Sequence, residues 1–234
     1  KAFNVSPFLI EKEIIMDLTF LSFGHGYTAQ ALTPYLNDKG WRVFGTSRSK
    51  DNFSDIEKSG AIPILWGSDE LRSIIRETAL VLSSVSPGTG SDPVIEMYGE
   101  DLKKNSNQIK WAGYLSTIGV YGDTKGEWVD ESSPLKPSTN RGIARVNAEK
   151  KWLKYNFPTH IFRLGGIYGP NRGPFQKVLQ GKAVKIIKPG QVFSRMHIHD
   201  IVQTLLASIS KPKPYSIYNL CDDNPAPPQD VISY

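Results

Sequence analysis

The sequence predicts an α/β fold: a doubly wound parallel sheet with a small C-terminal substrate lobe. Three observations carry that prediction. Short apolar runs alternate with helix-like segments through the first half of the chain. The first run, Leu18–Phe23, ends in a glycine turn that opens the first helix. Beyond Tyr168-Gly169-Pro170 the alternation breaks into short pieces rich in glycine and proline.

Each element has a local reason. Leu18–Phe23 is an apolar-rich run, as a strand buried on both faces requires. Thr28–Lys39 reads as a helix closed by Gly40, and Pro34 inside it predicts strain of up to ~3 kcal/mol. Trp41–Thr46 is a second strand, Asp51–Ser59 a helix ending at Gly60, and Ala61–Leu65 a third strand. Asp69–Glu77 is helical. Ala79–Val85 is a fourth strand, stopped by Ser86-Pro87-Gly88. Pro93–Asn105 is helical and Trp111–Ser116 is a fifth strand. Gly122–Asn140 reads as a long surface loop, Ile143–Tyr155 as a helix and Thr159–Leu164 as a strand. Ile201–Ile209 is a helix, and another starts at Pro228. Right-handed crossovers make such a βαβ series a doubly wound sheet. The expected division is an N-terminal extension over 1–15, a dinucleotide-binding domain over 16–165, and a lobe over 166–234 with elements returning to the sheet. The chain stops inside a helix start, as a truncated C-terminus would.

Composition narrows the function classes. The chain has 234 residues, 39% of them apolar, enough for one large core. Cys221 is the single cysteine, so neither a disulfide framework nor a cysteine-based zinc site is expected, and the cytoplasm is the expected compartment. No run reaches the ~18 apolar residues of a membrane helix. The net charge of +5 is spread over scattered lysines with no interleaved aromatics, so no nucleic-acid partner is expected. A small-molecule ligand and a monomeric or homodimeric state are.

The glycine turn reads Gly24-His-Gly26-Tyr27-Thr28-Ala29, the dinucleotide fingerprint with alanine in third place. Gly24 permits the tight turn, Gly26 lets backbone approach a pyrophosphate, and Ala29 lets helix and strand pack closely. The pyrophosphate then sits on free N–H groups at the helix's positive end. At the end of the second strand, Gly45-Thr46-Ser47-Arg48 carries no acid to hold a ribose 2′-hydroxyl. Arg48 can grip a 2′-phosphate with paired donors and Ser47 can add a hydroxyl, so NADP(H) is expected rather than NAD(H). Ser84, Ser86 and Pro87, after the fourth strand, should pass beside the cofactor. His25 is expected to face phosphates or solvent.

Several blocks together resemble the extended short-chain dehydrogenase/reductase superfamily, the NAD-dependent epimerases and dehydratases of sugar nucleotides. They are Ser116-Thr117-Ile118-Gly119-Val120-Tyr121-Gly122, Arg163 through Tyr168-Gly169-Pro170, Arg195-Met196-His197-Ile198-His199-Asp200 and Tyr218-Asn219-Leu220. The resemblance spans about residues 17–230 and implies a Rossmann-type sheet. It also implies a Ser/Thr, a Tyr and a Lys four residues after it. Thr117 matches the Ser/Thr that polarises a substrate oxygen. The Tyr-x-x-x-Lys-x-x-x-Glu frame instead reads Arg141-x-x-x-Arg145-x-x-x-Glu149. Arginine stays protonated, with a pKa above about 12, so Arg141 cannot trade a proton as a phenol does. Arg145 can still donate to ribose or phosphate.

Tyr121 and Tyr168 are the candidates to replace the missing phenol, although both stand in motifs that usually shape loops. Thr117, Tyr121 and Arg145 are therefore the expected catalytic set. His197 and His199 should share one face of an extended segment, but spacing identifies no third ligand and no metal is expected. Glu127-Trp128-Val129-Asp130-Glu131 forms an acidic patch in the long loop, either a binding lid or a solvated loop. The resulting expectation is an NADP(H)-dependent oxidoreductase or epimerase acting on a polar, nucleotide-sugar-like substrate. The alternative is a cofactor-bound regulator or redox sensor that does not catalyse.

Overall fold

The computed structural model describes residues 18–88, 91–184, 187 and 190–233; the expected extension over 1–15 lies outside them. Seven strands form one parallel sheet in the order β3-β2-β1-β4-β5-β6-β9. These are β1 (Thr19–Phe23), β2 (Arg42–Ser47), β3 (Ile62–Leu65), β4 (Leu80–Ser83), β5 (Trp111–Thr117), β6 (Thr159–Leu164) and β9 (Ile217–Leu220). The chain winds outward from β1 through β3, then crosses back to β4 on the other side of β1. That reversal opens a crevice at the C-terminal ends of β1 and β4, where ligands of such sheets bind.

Helices cover both faces, and strand alternation decides which face each residue serves. Leu21, Phe23, Val81 and Ile161 pack with α3 (Asp69–Glu77), α4 (Pro93–Lys104) and α5 (Asn140–Lys154). Phe20, Val43, Leu80 and Phe162 pack with α1 (Tyr27–Asn37), α2 (Phe53–Lys58) and α7 (Ile198–Ser210) on the other face. Capping fixes several helix starts: Ser68, Asp92 and Thr139 each accept backbone N–H groups at the first turn of α3, α4 and α5. α1 does contain Pro34, and the residue is exposed, so water can reach the carbonyl it leaves without a donor.

Several expected elements differ in extent. The segment 51–59 divides into a 3-10 turn at Lys50–Asn52, capped by Ser49, and the short α2. α5 begins at Asn140, three residues before the expected start, because Thr139 caps it. Two three-residue strands, β7 (Gly166–Tyr168) and β8 (Arg195–His197), pair in parallel beside the main sheet. Close by are α6 (Pro174–Leu179) and α8 (Pro228–Ser233), which contact each other. After β8 the chain rejoins the body, with α7 packed on α1 and β9 on β6.

The expectation that His197 and His199 share an extended face is overturned. The strand ends at His197, whose Nδ1 accepts the His199 N–H at 3.3 Å and caps α7. His199 therefore lies on a helix. No helix among the described residues is long and apolar enough to cross a membrane.

Candidate functional site

The site begins at the end of β1. Gly24 turns with φ +75°, a conformation that favours glycine, and a Cβ there would stand 3.0 Å from Val85 Cγ2. Its N–H donates to Thr46 Oγ1 at 2.9 Å, and its carbonyl accepts from Ser84 Oγ. The turn is thus held from both neighbouring strands, β2 and β4. Gly26 is exposed, and a Cβ there would meet nothing within 4 Å, so its backbone faces open space. Gly26 is the N-cap of α1 and has no side chain to cap it, and none among the described residues does so instead. The first N–H groups of α1 therefore face the crevice at the helix's positive end, as an anion site requires. Thr28 and Ala29 are buried under the turn, and Ala29 packs into the core with Leu32.

A cleft of about 1190 Å³ continues from this turn. Gly24, Gly26, Thr46, Ser47, Arg48, Trp66, Ser84, Ser86 and Met97 are among its lining residues. Tyr27, Pro87, Thr117 and Arg145 stand outside that lining. Arg48 is exposed at the cleft. The Ser47 hydroxyl is already engaged: it donates to the Ser49 carbonyl at 2.8 Å and accepts from Asn52 Nδ2 at 3.1 Å. Ser47 therefore shapes the loop that carries Arg48. Asp55, on α2, also lines the cleft, and Lys58 pairs with it at 3.1 Å. Counting along β2 does not find Asp55, because α2 folds back over the strand end.

His25 is among the residues of the cleft but does not face solvent. Its side chain is buried against Gly45 between α1 and α2. Nε2 lies 3.1 Å from Ser59 Oγ and 3.3 Å from Thr33 Oγ1. Both hydroxyls already donate, to the carbonyls of Ile56 and Ala29. Each therefore accepts from His25, which fixes the proton on Nε2. Nδ1 is buried with no partner among the described residues. Adding a proton there would bury an unpaired charge, and burial lowers the His25 pKa to about 4.

A histidine titrating near 6.5 unfolded and about 4 folded takes up its proton preferentially in the unfolded state. Stability held near neutral pH is therefore lost as pH falls from about 6.5 towards 4, with buried His160 shifted in the same direction. Urea unfolding against pH should show that slope, and His25→Gln should flatten it. An unchanged slope in the variant removes His25 as its source.

At the end of β5, Thr117 Oγ1 accepts the Gly119 N–H at 3.1 Å, and its own hydrogen has no partner among the described residues. Arg145 is tied inward by Nη1, which donates to the Leu115 carbonyl at 2.8 Å and to Tyr114 Oη at 3.1 Å. Burial pushes the Tyr114 phenol up, so it stays protonated. Arg141 is exposed at the first turn of α5.

Tyr121 is engaged inside the fold. Its hydroxyl donates to Asn219 Oδ1 at 2.7 Å and accepts from Arg163 Nη1 at 2.7 Å, and the residue is buried. Arg163 in turn pairs with buried Glu149 at 2.8 Å. Tyr121 belongs to this internal network. Tyr168 is half-buried on β7, its ring edge-on to His197 at 5.2 Å between centroids, and its hydroxyl has no partner among the described residues.

No family model matches the chain. A functionally unknown conserved protein from Silicibacter pomeroyi DSS is 51% identical, with a TM-score of 0.88 over 92% of this chain and 76% of that one. Human dTDP-D-glucose 4,6-dehydratase is 31% identical over 119 residues, 46% of this chain and 34% of the human protein. Over that stretch the chain is similar to the curated dTDP-D-glucose 4,6-dehydratases. It spans about a third of the length of the curated dehydratases it matches. The dTDP-glucose 4,6-dehydratase of Bacillus anthracis str. Ames, solved in complex with NAD, shares the fold of this chain. Its TM-score is 0.72 at 18% identity, over 92% of this chain and 79% of that one.

Proposed function

We propose that the chain binds a nicotinamide dinucleotide, NADP(H) in preference to NAD(H), and acts as an oxidoreductase or epimerase on a polar, nucleotide-sugar-like substrate. The observation that carries this reading is the exposed, uncapped N-terminus of α1 behind Gly24 and Gly26, opening on a cleft with Arg48 at its rim. Glycine backbone leaves room for a pyrophosphate, and the helix end supplies donors and positive potential. The dehydratase relatives, one of them solved with NAD, support the cofactor class and the sugar-nucleotide substrate class.

The bound nicotinamide supplies a hydride acceptor or donor. In this reading Gly24, Gly26, Tyr27, Thr28 and Ala29 form the pyrophosphate turn. Arg48 meets the 2′-phosphate on the loop that Ser47 holds. Ser84, Ser86 and Pro87 flank the cofactor. Thr117 donates to the substrate oxygen, and Arg145, on α5, supports the cofactor through its remaining guanidinium N–H groups. Tyr168, with its hydroxyl unengaged, is the better candidate than Tyr121 for moving a proton. The segment after Gly166 supplies the substrate lobe.

Arg48→Ala should weaken NADPH binding at least about tenfold, as loss of a charge-assisted phosphate contact does, and leave NADH binding nearly unchanged. Isothermal titration of both nucleotides reads this. Equal, millimolar affinities for both before and after the change sink the cofactor reading.

A second reading, a cofactor-bound regulator or redox sensor, draws on Arg141 and Arg145 in the places of the proton carrier and its lysine. Tight NADPH binding without turnover across a broad sugar-nucleotide panel favours it. NADPH oxidation that collapses in Thr117→Ala rules it out.

A further inference from the structure

The first residue of α1, Tyr27, carries a cation on its ring. The Arg172 guanidinium lies 5.1 Å from the Tyr27 ring centroid. A tight turn delivers it: Gly169 and Arg172 exchange two backbone hydrogen bonds of 3.0 Å, and Asn171 between them is left-handed at φ 58°. The turn is wedged in place. Tyr27 Oη donates to the Pro170 carbonyl at 2.9 Å. A Cβ at Gly169 would stand 2.5 Å from Ile198 Cγ2 and 2.8 Å from Tyr27 Oη. The turn therefore lies close against the first turns of α1 and α7, and Arg172 leaves it beside Tyr27.

The electrostatics of this arrangement are incomplete. Arg172 is exposed and makes no ion pair among the described residues. A cation beside the positive end of a helix is unfavourable unless an anion sits between them. Here the helix end is uncapped, and the glycine beside it leaves open space. A group carrying two adjacent negative phosphates would satisfy the N–H groups of α1 and the guanidinium together.

We propose that Arg172 is a cofactor-binding residue that pairs with the pyrophosphate of the dinucleotide seated on α1. The contact comes from beyond β7, so one turn of the C-terminal lobe closes over the cofactor. This rests on the dinucleotide reading given above.

The test uses the full chain and two probes, NADP⁺ and adenosine 2′-monophosphate, which keeps the 2′-phosphate and has no part of the pyrophosphate. Arg172→Met should weaken NADP⁺ about tenfold while the monophosphate changes less than about twofold, and Arg172→Lys should recover part of the loss. Thermal melting should be unchanged in both variants, since Arg172 is exposed. Unchanged NADP⁺ affinity in Arg172→Met overturns the proposal and leaves the dinucleotide reading standing. An equal loss for both probes overturns it as well, since the contact would not be to the pyrophosphate. A wild-type chain that binds neither NADP⁺ nor NAD⁺ overturns both.

Discussion

Glu149→Ala is expected to lower the unfolding free energy by about 3–5 kcal/mol, because it leaves a buried guanidinium without its counter-charge. Arg163 and Glu149 are only 2% and 3% exposed. Glu149 takes a hydrogen bond from Ser116 Oγ at 2.5 Å and is gripped by Arg163 through Nε and Nη2. Arg163 also donates to Tyr121 Oη at 2.7 Å and lies over that ring, 5.0 Å from its centroid. The network continues outward: Tyr121 reaches Asn219, and the Asn219 N–H donates to Glu131 Oε1 at 2.6 Å. Losing the carboxylate should therefore loosen the inner end of the 122–139 loop as well as the β5–β6 seam. Removing both charges, as in Glu149→Leu with Arg163→Met, should cost less than Glu149→Ala alone, since no unpaired ion remains. Urea unfolding of the wild type and both variants decides this. A Glu149→Ala loss below about 1 kcal/mol, the range of an exposed pair, would show that water reaches Arg163.

The fold was legible because its signals are local. Asp69–Glu77 and Thr159–Leu164 stand in the structure with the bounds the sequence predicts. The first has a serine cap and an amphipathic face, and the second is buried along its whole length. β7 and β8 left no such trace: three residues are too few for a period, and each exists because the other lies beside it. The start of α7 was misread for a related reason. Alternation of His197 and His199 looks extended until the cap formed by His197 Nδ1 is known, and that bond exists only in the folded turn. At the site, Gly24, Gly26 and Arg48 were readable because their work is done by backbone freedom and by charge. Tyr121, His25, Asp55 and Arg172 were not. Their partners lie 98 residues away at Asn219, 34 away at Ser59, across a helix start, and on α1. A motif fixes which residue type stands where; what it touches is decided by tertiary packing.

Gly45→Ala should destabilise the chain by about 1–3 kcal/mol and weaken dinucleotide binding, although alanine suits a strand interior better than glycine. Gly45 lies mid-strand in β2, opposite Ser22 on β1 and Pro63 on β3. A Cβ there would stand 2.6 Å from His25 Nδ1 and 2.7 Å from His25 Cβ. The second contact matters most, because a Cβ cannot rotate away. His25 is held from both sides: its N–H donates to the Thr46 carbonyl at 3.1 Å, and its ring is anchored at Ser59 and Thr33. Relief must come from moving the glycine turn, the element proposed to receive the pyrophosphate. The clash therefore predicts coupling. In a His25→Ala background, Gly45→Ala should cost at least about 1 kcal/mol less than in the wild type, and its intrinsic strand advantage can then appear. A double-mutant cycle by chemical denaturation, with NADP⁺ titration of each variant, measures both effects. Strict additivity of the two changes would mean that β2 yields rather than the turn, and that the packing of His25 on Gly45 does not position the nucleotide site.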